Sequence, residues 1–186
     1  MKIFATIVSG LAGWAVGCST TTTTTGNAVA GNAIGGVSFE VVDGAAMVRT
    51  SRGLTNIVLT DFADTCSIAD ESARRSSKQL TFLVSDDVSA GSSGTPPSKP
   101  GTYTIMFPNV PASGPAAQCG FAVYDATCHP LIPTPCESGT VTLTRVDAQG
   151  YAGTFDVMIA GSQVNGSFDV PSCSNGNSES GFGTCQ

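Results

Sequence analysis

The sequence predicts an all-β fold: a single disulfide-stapled antiparallel domain, built as a β-sandwich or a barrel-like sheet. Three observations carry that expectation. The stretch from Ser138 to Cys173 reads as three consecutive strands joined by two tight turns. Upstream of it, short apolar runs alternate with polar residues and are separated by clusters of Gly, Pro, Ser and Asp. Of seven cysteines, six follow Cys18, an even number that suits a disulfide framework in an exported chain.

Taken in order, Met1 to Gly17 reads as a signal peptide. Lys2 supplies a short positive start, and Ile3 to Val16 is apolar but too short for a comfortable transmembrane span. Residues 18–36 hold Thr20 to Thr25 and a run rich in Gly, Asn and Ala, which offers little for a core to bury. Ordering such a stretch costs entropy without burial in return, so 18–36 is read as a flexible tether. The β domain is then expected over 37–186.

Within it, Val37, Phe39 and Val41 alternate with polar residues as a first strand. Asp43-Gly44 reads as a turn, and Ala46 to Val48 as a continuation beyond it. Leu54 to Leu59 reads as a buried strand, and Ile68 to Lys78 is the one segment with a helical pattern. Leu80 to Val84 is a strand, followed by a Ser/Gly/Pro loop from Asp86 to Pro100. Tyr103, Ile105 and Phe107 alternate with Thr102, Thr104 and Met106 as a strand, Pro108 to Pro115 is irregular, Phe121 to Tyr124 is a short strand, and Cys128 to Cys136 is a proline-rich loop. With the three C-terminal strands this makes about eight, at the spacing of a sandwich or barrel.

The C-terminal meander is specific enough to assign a register. A two-residue loop at Gly161-Ser162 would pair Ile159 with Val164, Val157 with Gly166 and Phe155 with Phe168. A three-residue loop at Ala148-Gln149-Gly150 would oppose Leu143 to Phe155 and Val141 to Val157. Both place the apolar residues on one face and leave Thr154, Asp156, Ser167 and Asp169 on the other.

Only 12% of residues are charged, against about 25% in an ordinary soluble domain, and the formal net charge is −6. Without Lys2 the balance is seven basic against fourteen acidic residues, or −7. An acidic chain without a basic patch is no nucleic-acid binder.

Setting Cys18 apart, the disulfide candidates are Cys66, Cys119, Cys128, Cys136, Cys173 and Cys185. No C-x-x-C pair exists and His129 is the only histidine, so the spacing does not suit a zinc site. The leading pairing is Cys66 with Cys173, which ties the loop after an early strand to the end of the meander; Cys185 is expected to return the glycine-rich tail to the Cys119–Cys136 region. No G-x-S-x-G elbow presents a serine, and His129 lies between Cys128 and Pro130 with no triad partner in view. Carboxylates gather around Cys66 (Asp61, Asp64, Asp70, Glu71), open the long loop (Asp86, Asp87) and share the outer face of the last hairpin (Asp156, Asp169). The calcium-loop pattern D-x-[DN]-x-[DN]-G is absent. Arg74-Arg75 reads as a solvated pair. No catalytic residue, metal or cofactor is assigned.

Ala15-Val16-Gly17-Cys18 resembles the lipobox of bacterial lipoproteins, and the resemblance implies cleavage after Gly17 and a lipid on the Cys18 sulfur. Serine after Cys18 resembles the outer-membrane sorting pattern of enterobacterial lipoproteins. With the Thr/Gly tether, GTYT at Gly101 to Thr104, SGTVTLT at Ser138 to Thr144 and GSFD-x-P-x-C at Gly166 to Cys173, the chain is similar to the small predicted lipoproteins of myxobacteria. That family implies a β-rich fold and an envelope address, and it lends no activity. The function expected is therefore that of an outer-membrane lipoprotein, not an enzyme, with a structural, adhesion or binding role. Its partners would be the membrane through Cys18 and an envelope protein or glycan met by the loops Asp86 to Pro100 and Pro108 to Pro135. The alternative is an exported hydrolase whose site has no recognisable motif.

Overall fold

A computed structural model of the chain describes residues 28–30, 33–68, 75–87, 94–106 and 114–173. Its strands are β1 (Ala28–Ala30), β2 (Ala33–Ile34), β3 (Val37–Ser38), β4 (Asp43–Arg49), β5 (Leu54–Thr60), β6 (Lys78–Ser85), β7 (Gly101–Ile105), β8 (Ala116–Tyr124), β9 (Pro130–Asp147), β10 (Gly150–Ile159) and β11 (Ser162–Pro171). Nine of them form one sheet in the order β1-β11-β10-β9-β7-β8-β6-β5-β4, with β8 also bonded to β9, while β2 and β3 make a separate small pair. The sheet curls until its margins meet. Ala46 of β4 bridges Ser172, and the Cys173 N–H donates to the Ala46 carbonyl at 2.8 Å. The all-β domain is thus a nearly closed, barrel-like sheet.

Strand alternation explains what fills it. Leu80, Phe82 and Val84 of β6, Val141 and Leu143 of β9, Phe155, Val157 and Ile159 of β10, and Val164, Phe168 and Val170 of β11 all point inward and are buried. The Phe82 ring lies 4.9 Å from that of Phe155 and 6.4 Å from that of Phe168, so β6 meets the meander through the barrel's centre. Thr154 and Asp156 stand exposed on the outside, with Ser167 and Asp169 half-buried beside them, as the expected face requires.

The expected register, in contrast, shifts by two residues in both hairpins. The β10–β11 turn is Ala160-Gly161, with φ of 50° and 70°, so two left-handed central residues make a type I′ turn whose twist suits a hairpin. Phe155 then faces Gly166, and Phe168 faces Gly153. Each phenylalanine crosses to a glycine, and a Cβ on Gly153 would lie 2.9 Å from Phe168 Cζ. The register expected from the sequence would have set Phe155 and Phe168 directly opposite each other. The β9–β10 turn is likewise two residues, Ala148-Gln149, with Asp147 Oδ1 accepting from the N–H of Gln149 and of Gly150. A bulge between Ala152 and Gly153 then brings Val141 opposite Phe155 and Leu143 opposite Gly153. A shift of two preserves the face, so the buried set is as expected while the partners differ.

Four further expectations are corrected. The domain starts earlier than residue 37: Ala28–Ala30 pairs with Ser167 to Asn165, and Ile34 is buried in the core, so the expected tether 18–36 loses its C-terminal part to the barrel. Asp43-Gly44 is not a turn but the start of β4; Gly44 is there because a Cβ would come within 2.7 Å of Val170 Cγ1. Lys78 opens a strand instead of ending a helix, and no α-helix occurs among the described residues, of which 69–74 are not part. The proline-rich segment before Cys136 is the first arm of β9, paired with β8. Pro133 and Pro135 are two apart and present the same edge, so both ring nitrogens sit where the ladder to β8 needs no donor.

Candidate functional site

The barrel has two unlike ends. At one, the β2–β3 hairpin folds over the opening beside the β10–β11 turn: a Cβ on Gly35 would meet Ala160 Cβ at 3.1 Å, Ile34 is buried, and the Phe39 ring stacks edge-on against Phe121 at 5.3 Å. A lone isoleucine and a phenylalanine in a Gly-rich stretch therefore act as a plug. The opposite end is polar inside. Thr55 at the start of β5, fully buried, donates to the Tyr151 hydroxyl at 3.3 Å, and the Tyr103 hydroxyl of β7 donates to Asp86 Oδ1 at 2.6 Å.

Asp86 organises the loop expected to make contacts. Its Oδ2 accepts from the Ser98 N–H at 3.1 Å and lies 3.2 Å from Ser98 Oγ, and its own N–H donates to the Thr95 carbonyl at 2.7 Å. Ser85, at the end of β6, accepts from the Thr95 N–H at 3.2 Å and lies 2.8 Å from the Gly53 carbonyl. Burial, then the hydrogen bond to Asp86, pushes the Tyr103 phenol well above its ordinary range, so it remains a neutral donor at physiological pH. This arrangement fixes the 94–100 segment over the polar end. It follows that Tyr103→Phe, by removing one donor to a half-buried carboxylate, should lower stability by about 1–2 kcal/mol. Amide exchange should then quicken at 94–100, while the β9–β11 meander keeps its protection; unchanged exchange there would rule out an anchoring role.

The other candidate residues are scattered. Asp61 accepts from the Lys78 N–H at 2.8 Å and faces the Lys78 ammonium at 3.6 Å, while Asp64 is exposed, with its backbone in a left-handed conformation. Asp87 accepts from the Gly114 N–H at 3.1 Å, Asp156 from the Gln163 side chain at 2.9 Å, and Asp169 is paired with Arg145. His129 is exposed, its Nδ1 3.1 Å from Thr127 Oγ1. Hydrogen bonds from the Thr127 side chain and the His129 backbone hold the Asp125 carboxyl below its usual range and close the β8–β9 loop. Among the described residues no three His, Cys, Asp or Glu side chains converge on a metal position. Arg75 is exposed; Cys18, Asp70, Glu71, Arg74 and Cys185 lie outside the described residues, as do 88–93 and 107–113 of the two expected contact loops.

Cysteine geometry is more informative. Cys66 pairs with Cys173, Cα to Cα 5.5 Å, as the sequence suggested. Cys119 pairs with Cys136 at 5.2 Å, and Cys128 is also disulfide-bonded. Cys119 and Cys136 thus bond to each other, and Cys128 is the member of that region bonded elsewhere. The sequence signalled none of the interior polar contacts at Thr55, Tyr103 and Tyr151; the only trace was tyrosine at inward-facing strand positions. Comparison of the chain with protein-family models, curated proteins and solved structures gave no match.

Proposed function

We propose that this chain is a bacterial outer-membrane lipoprotein that carries a non-catalytic structural, adhesion or binding module. The observation that carries the reading is Ala15-Val16-Gly17-Cys18 after a short apolar segment led by Lys2. The position of the first strand adds a constraint. With β1 beginning at Ala28, ten peptide units separate it from Cys18, so the barrel stays within roughly 35 Å of a lipid on that sulfur. A barrel plugged at one end by Ile34 and Phe39, with a pinned loop at the other, suits presentation of a rigid surface, because ordered loops lower the entropic cost of binding. An envelope protein or glycan is the partner class this reading names.

The test is the intact mass of the mature protein taken from membranes, before and after reduction. A chain beginning at Cys18 with a diacylglyceryl increment is expected, gaining two hydrogens for each bridge opened. Peptide mapping should return Cys66–Cys173 and Cys119–Cys136, with Cys185 joined to Cys128. An unlipidated mass, or an N-terminus elsewhere, removes the anchor and with it the outer-membrane assignment.

A further inference from the structure

We propose that the line between β11 and β4 is the seam along which this barrel opens, and that the Cys66–Cys173 disulfide is its redox-controlled lock. The strands on either side of the seam are laced to their other neighbours along their length, Gly150–Ile159 with Ser162–Pro171 and Asp43–Arg49 with Leu54–Thr60. Even the short β7–β8 pairing has two residue pairs and lies beside a β8–β9 ladder. Across the seam the described ladder consists of the Ala46–Ser172 bridge and the bond from the Cys173 N–H to the Ala46 carbonyl. The inward side chains of β4 there are small. Ala46 is fully buried, and Gly44 lets Val170 settle directly over the β4 backbone. A margin of glycine and alanine buries little apolar area per residue, so it adheres weakly compared with the phenylalanine-rich interior.

The disulfide compensates for that weakness from outside. Cys173 packs on the outer face of β4 and β5 against Ala45, Met47 and Val58, with the half-buried Cys66 beside it. It therefore spans the seam without passing through the core, and Cys66 is its more accessible sulfur. The Cys119–Cys136 bridge is placed differently. The register that sets Gly120 opposite Pro135 continues to those two cysteines, and Cys136 is fully buried. Cys119 is half-buried as Cys66 is, but its bridge is set in the main core beside the β8–β9 ladder, whereas Cys66–Cys173 lies in the small outer cluster over the seam. Opening of the seam therefore delivers that bridge to a reductant first.

The step is thiol–disulfide exchange with a dithiol. One thiolate of the dithiol attacks Cys66 Sγ, and the S–S bond breaks with its electron pair going to Cys173 Sγ, which takes up a proton. The second thiolate then attacks the mixed disulfide and releases Cys66 as the thiolate, which is protonated in turn. Two electrons and two protons pass from the dithiol to the protein, and the dithiol leaves as its own disulfide. With the lock open, the Ala46–Ser172 bridge, one hydrogen bond and the packing of Val170 over Gly44 hold the margins together, and local opening exposes two strand edges while the remaining ladders stand.

The test is hydrogen–deuterium exchange on the full mature chain, oxidised and after treatment with dithiothreitol, with freed thiols alkylated and mapped. Alkylation should appear first at Cys66 and Cys173. Amides of Asp43–Arg49 and of 168–173 should lose protection on the order of 100-fold more than those of β9 and β10, whose smaller loss follows the drop in global stability alone. The variant Cys66→Ala/Cys173→Ala should reproduce that local pattern without reductant. Uniform loss across the sheet would make the bridge a global staple and overturn the proposal, as would unchanged exchange at the seam or earlier reduction of Cys119–Cys136. Because the wild-type chain is measured directly, the outcome stands even if the variant fails to fold.

Discussion

Replacing Cys66 and Cys173 together with alanine is expected to lower the unfolding free energy by roughly 4–5 kcal/mol. The bridge joins residues 107 apart in sequence and so removes a large loop's worth of freedom from the unfolded chain. Its own surroundings add little to the loss, because alanine remains compatible with the apolar outer-face cluster of Ala45, Met47 and Val58. The Cys119–Cys136 bridge encloses only 17 residues, for which the same chain-entropy reasoning gives about 3 kcal/mol. Equilibrium denaturation in guanidinium decides the matter. The seam double mutant should have the lower midpoint of the two, and its m value should rise, since the unfolded chain without the long loop exposes more surface. A Cys119→Ala/Cys136→Ala protein less stable than the seam mutant would show that burial and strain outweigh loop length here.

How much of this was legible in the sequence depends on what kind of physical rule decided each feature. The inward faces of β10 and β11 were legible, because side-chain direction alternates with period two and the apolar residues of GTFDVMI and SQVNGSFDV follow that period. Their register was not. Gly161 can serve as the first residue of a type II′ turn or the second of a type I′ turn, and only the interior decides between them. Seating Phe155 against Gly166 and Phe168 against Gly153 is a packing outcome, invisible to local propensity. The same limit hid the plug: Ile34 stands alone among Gly, Asn and Ala, and its burial depends on a barrel mouth formed by strands far along the chain. Prolines at 130, 133 and 135 argued for a loop, because a sequence does not reveal which edge of a strand will lack a partner. The Cys66–Cys173 pairing was legible from chain order, whereas the anchoring of the 94–100 loop by Asp86 and Tyr103 needed the three-dimensional proximity of two strands' ends.

Phe82→Ala tests the packed centre on which both the barrel and its loops depend, and it should lower stability by about 3–5 kcal/mol. Phe82 is fully buried on β6, whose neighbours are β5 and β8, yet its ring rests against Phe155 and Phe168 from the meander on the far side of the barrel. Removing it leaves a cavity between two parts of the sheet that face each other across the interior. Their hydrogen bonds hold the surrounding strands in place, so the space cannot close by collapse and the cavity cost persists. Phe82→Leu retains most of the volume and should cost on the order of 1–2 kcal/mol. Pairing Phe82→Leu with Phe155→Leu in a double-mutant cycle should reveal a coupling of about 0.5–1.5 kcal/mol beyond the sum of the single effects. Chemical denaturation of the four proteins supplies all the terms. Strict additivity would mean that the two rings do not touch in solution, and the interior contact that closes this sheet into a barrel would have to lie elsewhere.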